Sequence, residues 1–146
     1  MTDATAHIFL AFDYGEKYIG VAVGSRHTRH AQPLTTLRGS AKNPDWTRLS
    51  QLVKEWRPDA FVVGLPLNMD GTANRVTRAA RAFGQGLKDR YNLPVHMVDE
   101  RLTTVAAREV LNESGVPMRR HKASLDKVAA QTILQAFLNE LPGDAP

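Results

Sequence analysis

A mixed α/β sheet with helices on both faces is the fold class that this sequence predicts, and three observations predict it. Short apolar runs closed by turn residues recur along the chain and read as buried strands. The first two, at 8–13 and 17–24, are joined by the tight turn Tyr14-Gly15-Glu16, so they must pair antiparallel. After the third strand, apolar runs alternate with segments of helical periodicity, the pattern of crossovers between parallel strands.

The elements follow in order. Ile8-Phe9-Leu10-Ala11-Phe12 is an apolar run ended by Asp13, and a Gly-punctuated run follows it to Gly24. Residues 25–30 are polar and read as a loop. Gln32 to Leu37 is a third strand, with Pro33 pointing to an edge or a strand start. Gly39 to Pro44 is rich in breakers. A helix is expected over about 44–56, because Leu49, Leu52, Val53 and Trp56 share one face, and Pro58 stops it. Ala60 to Leu65 is the fourth strand, and 66–71 is a loop. A second helix over about 73–91 places Val76, Ala80, Phe83 and Leu87 on one stripe, weakened by Gly84 and Gly86. Val95 to Val98 is the fifth strand. Thr103 or Thr104 can cap a third helix to about Glu113, and Ser124 a last one to about Leu141. The resulting order is β-β-β-α-β-α-β-α-α. Ligands of such sheets sit beyond the carboxyl ends of the parallel strands.

The chain of 146 residues, 42% of them hydrophobic, reads as one domain, residues 1–146, with an ordered core over about 8–141 and loose ends. A chain of this size buries roughly 68–70% of its unfolded surface, so its core needs no covalent staple. It contains no cysteine. Disulfides and thiolate metal sites are thereby excluded, and a reducing cytoplasm is the expected setting. Residues 1–7 carry neither a basic stretch nor a long apolar one, so no signal peptide is expected. No segment approaches the roughly 20 apolar residues of a membrane span.

Asp13 is the most informative residue. A carboxylate closing a buried strand lies at the rim of a sheet, where metals and phosphates are handled. Asp-x-Gly is also an ordinary turn opener. Two further acids lie at comparable rims. Asp99-Glu100 follows the fifth strand, and only one of the pair can face the side of Asp13, because adjacent residues of an extended segment point oppositely. Acids before a helix also complement its dipole. Asp126 shares a helical face with Ala129, Ala130, Ile133 and Phe137, the stripe that packs on the sheet. A carboxylate on a buried stripe is costly unless paired or bound to metal. Oxygen donors without Cys or His select Mg²⁺ or Mn²⁺, and two such ions about 3.5–4 Å apart can clamp a phosphodiester.

The net charge of +4 and the isoelectric point near 9.7 suggest an anionic partner such as nucleic acid. The basic residues are clustered. Arg26, His27, Arg29 and His30 share a loop, Arg75, Arg78 and Arg81 follow one helix, and Arg119, Arg120, His121 and Lys122 precede Asp126. Lys17, Arg75, Arg78, Arg101, Arg119, Arg120 and Lys122 are the candidate contacts for nucleic-acid phosphates. Trp46 and Trp56 read as core.

Asp13-Tyr14-Gly15 with Gly20 and Ala22, Val63-Gly64-Leu65-Pro66 with Asp70-Gly71, Asp99-Glu100-Arg101-Leu102-Thr103-Thr104, and Leu125-Asp126 with Ala129-Ala130 and Ile133-Leu134 resemble the YqgF (RuvX) family. Its members are pre-16S rRNA nucleases similar to Holliday-junction resolvases. The match runs from about Phe9 to Leu138. The resemblance implies a ribonuclease H-like mixed five-stranded sheet of order 3-2-1-4-5, flanked by helices on both faces. It implies that Asp13, Glu100 and Asp126 are the catalytic, metal-binding acids, with Asp13 bridging two Mg²⁺ or Mn²⁺ ions. It implies endonucleolytic trimming of the 5′ end of the 16S ribosomal RNA precursor, leaving 5′-phosphate and 3′-hydroxyl ends. Junction resolution on DNA and transcription antitermination are the alternatives that the same resemblance carries, and a homodimer is compatible with it. Junction resolvases resemble one another in a further acid on the last helix, and here Lys127, Ala129 and Ala130 follow Asp126.

Overall fold

The computed structural model describes residues 7–40, 43–100 and 118–142, with side chains of the last stretch from residue 127 onward. The strands are β1 (Ile8–Asp13), β2 (Tyr18–Ser25), β3 (His30–Ser40), β4 (Asn43–Pro44), β5 (Ala60–Leu65) and β6 (Val95–Asp99). The helices are α1 (Trp46–Trp56), α2 (Arg75–Tyr91) and α3 (Met118–Glu140). They build one six-stranded sheet of order β4-β3-β2-β1-β5-β6. β1, β2, β3 and β4 pair antiparallel in succession, and β5 and β6 join parallel to β1.

The expected strand order is therefore present, with a correction. The expected sheet of five strands has a sixth, because β3 runs on through Ser40 and its end pairs with Asn43 and Pro44. Pro33 is tolerated within β3 by a register shift opposite Val21 and Ala22, which removes the need for a regular ladder bond there. The last helix begins at Met118, so Ser124 lies inside it and not at its N-cap. Met, Arg, Lys and Ala before Ser124 are good helix formers, and nothing among them halts the helix. The helix expected over 103–113 lies outside the described residues.

Strand alternation divides the core in two. Leu10, Phe12, Ile19, Val21, Phe61 and Val63 face α1 and α2, where they meet Leu49, Leu52, Phe83 and Leu87. Trp46 and Trp56 pack against this cluster as expected. The opposite positions Phe9, Ala11, Ala22, Ala31, Ala60 and Val62 face α3, through Ala130, Ile133, Leu134 and Leu138. The small residues of that face let α3 lie close on the sheet. Local chemistry fixes the other helix ends. Asp45 accepts from the Arg48 N–H at 3.0 Å, and Asn74 forms a reciprocal capping box with Thr77. Both helices end in a left-handed residue, Arg57 and Asn92.

The C-terminal half of α3 is anchored firmly. Gln135 accepts from the Ala31 N–H at 3.0 Å and donates to the Arg29 carbonyl at 2.8 Å. The Arg29 guanidinium donates to the carbonyls of Leu138 and Leu141 at 2.8 and 2.7 Å. Leu134 and Leu138 lie over Gly24, which pairs with Phe9 near the start of β1, whereas Ile133 lies over Gly64 in β5, the residue after the partner of Phe12 near the end of β1. The N-terminal half of α3 thus points toward the sheet end that carries Asp13. Among the described residues no helix is long and apolar enough to cross a membrane.

Candidate active site

Asp13 closes β1 opposite Gly20, one residue beyond the last pair of β1 with β5, Phe12 and Val63. It continues the parity of Phe9 and Ala11, the face covered by α3. The next residue, Tyr14, is 3% exposed and belongs to the opposite cluster, with its ring 5.3 Å from that of Phe83. This anchor holds the chain just after Asp13.

Glu100 arrives from the other side. Leu65 pairs in parallel with Asp99, so the end of β6 lies beside the end of β5, and β5 lies beside β1. The Glu100 carboxyl then lies over Gly64. A Cβ at Gly64 would stand 2.6 Å from Glu100 Oε2 and 2.6 Å from Ile133 Cδ1. Glycine is required here for a close approach, which lets a carboxyl and a helix side chain occupy the place of a side chain at the strand end.

Asp13 and Glu100 share a hydrogen bond. Two carboxyls can do so only with a proton between them, since two adjacent carboxylates repel. Burial pushes the Glu100 carboxyl above its ordinary range, the hydrogen bond from Asp13 pulls it back, and the Asp99 charge raises it again. Glu100 is therefore the member of the Asp99–Glu100 pair that faces Asp13, as strand parity required.

A raised folded value has a definite sign in pH dependence. The folded, metal-free protein binds the proton more tightly than the unfolded chain does. That contribution to stability is fully present below the ordinary glutamate range and is lost as the pH climbs through the raised value. Glu100→Gln is accordingly expected to raise the melting temperature of the metal-free protein at pH 7–8, with the gap closing toward pH 4. Thermal melts across that range in a chelator check this, and a variant less stable than wild type at neutral pH would contradict it.

Among the described residues no three carboxylate, imidazole or thiol side chains converge to hold a metal ion. The third expected acid, Asp126, lies in α3 one turn before Ala130, and its side chain is outside the described set. The structure brings Asp13 and Glu100 together and leaves Asp126 as an expectation. Two adjacent oxygen-bearing carboxyls, one of them buried, suit a hard divalent cation, which would compensate their negative charge.

Of the expected phosphate contacts, Lys17 and Arg78 are exposed. Arg75 is engaged, its two terminal nitrogens each 3.0 Å from a Glu16 oxygen. Arg101 lies outside the described residues, as do the side chains of Arg119, Arg120 and Lys122. The 68–74 loop reads as built turn chemistry. Asp70 accepts from the N–H and the hydroxyl of Thr72 at 2.9 and 2.6 Å, and Asn74 donates to Asn68 at 2.8 Å.

The architecture is shared with solved resolvases. The Thermus thermophilus RuvC in complex with a Holliday-junction substrate superposes with a TM-score of 0.54 at 19% identity, over 90% of this chain and 93% of that one. The fowlpox virus Holliday junction resolvase gives 0.53 at 14%, over 92% and 99%. The fold is thus that of the ribonuclease H-like resolvases, with an acidic pair at the carboxyl ends of the internal strand β1 and the edge strand β6. Residues 7–140 match the family model described as RuvX, Holliday junction resolvase, and the chain belongs to this nuclease family. A relative from Nitrosococcus oceani, named "Putative pre-16S rRNA nuclease", is 53% identical over 91% of this chain and 87% of its own. Relatives of the same name from Nitrosomonas europaea and Cronobacter sakazakii are 43% and 47% identical, over 95% and 90% of this chain and 94% and 95% of theirs.

Proposed function

We propose that this protein is a divalent-metal-dependent endonuclease that trims the 5′ end of the small-subunit ribosomal RNA precursor in the cytoplasm. The observation that carries the reading is the Asp13–Glu100 carboxyl pair at the sheet end, with α3 directed toward it. Relatives up to 53% identical bear a pre-16S rRNA nuclease name, which favours RNA as the substrate.

Asp13, Glu100 and Asp126 would hold Mg²⁺ or Mn²⁺. A bound ion of this kind neutralises phosphoryl charge and acidifies a water for in-line attack. The residues of the chain supply the rest. Gly64 gives the Glu100 carboxyl its room, and buried Tyr14 fixes the turn after Asp13. Lys17, Arg78, Arg101, Arg119, Arg120 and Lys122 supply cations for the flanking phosphates, with Arg75 shared between that task and Glu16. Such contacts position a strand without reading its sequence.

The test is incubation of the purified protein with the ribosomal RNA precursor and Mn²⁺, beside a four-way DNA junction. Cleavage of the RNA near its mature 5′ end is expected. Preferential, symmetric cleavage of the junction would replace this reading with junction resolution, and inertness toward both would end the nuclease reading. Affinity for RNA should fall steeply with salt, the logarithmic slope growing with the number of neutralised phosphates. A flat salt dependence would remove the phosphate-contact assignment.

A further inference from the structure

On the face of β2 that Asp13 shares, the next outward residue after Gly20 is Tyr18, about 7 Å along the strand. Its cross-strand partner in β3 is Arg38, whose guanidinium carbon lies 5.9 Å from the centre of the Tyr18 ring. Lys17 precedes Tyr18 and is exposed, as is Arg38. Together with Glu16 and Gly39 these residues line an open depression of about 370 Å³. Arg38 and Gly39 also border a second depression of about 430 Å³, which continues to Asn43 and Trp46. Arg38 and Gly39 thus line both hollows, at the Asp13 end of the sheet. The acid in the first hollow, Glu16, is already engaged by Arg75 at 3.0 Å, so the depression presents Lys17 and Arg38 as its cationic groups.

We propose that this edge is a subsite for a single-stranded RNA segment flanking the scissile bond, with Arg38 as the phosphate contact. The proposal rests on the nuclease reading above. Tyr18 is a positioning residue, holding the guanidinium over its ring so that its planar fork faces the strand. A cationic groove interleaved with an aromatic ring is the chemistry of single-strand binding. The occupant is a strand and not a duplex because two open hollows that share Arg38 and Gly39 form a track that a flexible backbone can follow.

The experiment measures binding of a fluorescently labelled single-stranded RNA in a chelator, where no cleavage intervenes, and steady-state cleavage of the precursor with Mn²⁺. Arg38→Ala is expected to weaken single-strand binding about tenfold and to flatten the logarithmic salt slope by about 0.7, one phosphate contact on a single strand. It should raise KM with kcat held. Arg38→Lys should keep the slope and recover part of the affinity. Tyr18→Phe should behave as wild type, and Tyr18→Ala should approach Arg38→Ala. Unchanged affinity and slope in Arg38→Ala would overturn the subsite, and so would an equal loss on a blunt RNA duplex. A wild-type protein that binds through Arg38 but cleaves no RNA supports the subsite and overturns only the nuclease reading. One that cleaves with Arg38 irrelevant does the reverse.

Discussion

Asp13→Asn is expected to lower metal-dependent cleavage by at least on the order of 10³-fold while leaving the fold unchanged. Asparagine has nearly the shape of aspartate, and the β1 backbone at this position still pairs with Gly20. What disappears is the negative charge that a divalent ion would use. The metal-free variant should be about as stable as wild type, because a side-chain amide at this position can still donate a hydrogen bond to the Glu100 carboxyl. Three measurements check this together. Single-turnover cleavage of the precursor should collapse. The rise in melting temperature that Mn²⁺ gives the wild type should shrink strongly, since an ion that binds the folded state stabilises it by mass action. The far-ultraviolet circular dichroism should stay the same. A substituted protein that cleaves at the wild-type rate would take Asp13 out of the chemistry.

Much of this centre is legible in the sequence, for physical reasons that can be named. Strands β1, β2 and β5 are buried on both faces, so their residues form unbroken apolar runs and the acid or turn that ends each run is conspicuous. Parity along an extended segment already limits the partner of Asp13 to one of Asp99 and Glu100, and the shared hydrogen bond identifies Glu100. Other features were not legible. β4 is two residues long and exists only because β3 continues through Ser40 to meet it, a tertiary event without a local signature. The start of α3 at Met118 overrides the cap chemistry of Ser124, because the preceding residues favour helix and a cap residue does not compel a beginning. Arg38 belongs to no basic run and sits far in sequence from every acid of the centre. Its relation to Tyr18 follows from the β2–β3 register, which a bulge shifts and no hydrophobic pattern reveals. Arg75, which charge clustering offered as a phosphate contact, is engaged by Glu16 across a long sequence separation.

Gly64→Ala should produce the second large effect, and it separates packing from chemistry at one atom. β5 carries Gly64 just before its last residue and has no carboxylate of its own, and the structure explains why: Glu100 and Ile133 both occupy the space a side chain at Gly64 would take, each 2.6 Å from the added Cβ. Both intruders are side-chain ends, so the backbone can stay in place and the fold should survive with a loss of about 1–3 kcal/mol from overpacking. Cleavage should fall further than that cost suggests, by roughly 10²-fold, because the Glu100 carboxyl must leave its place beside Asp13 and a displacement near 1 Å is enough to lose that much. The paired substitution Gly64→Ala with Ile133→Val decides between the two causes. Removing the Ile133 Cδ1 relieves the contact with α3 and leaves the contact with Glu100. Denaturant unfolding should therefore show stability partly restored, while the cleavage rate stays depressed and the Mn²⁺-induced stabilisation stays weak. Recovery of the rate along with the stability would mean that Gly64 serves helix packing alone, and that the position of Glu100 over it is not what cleavage requires.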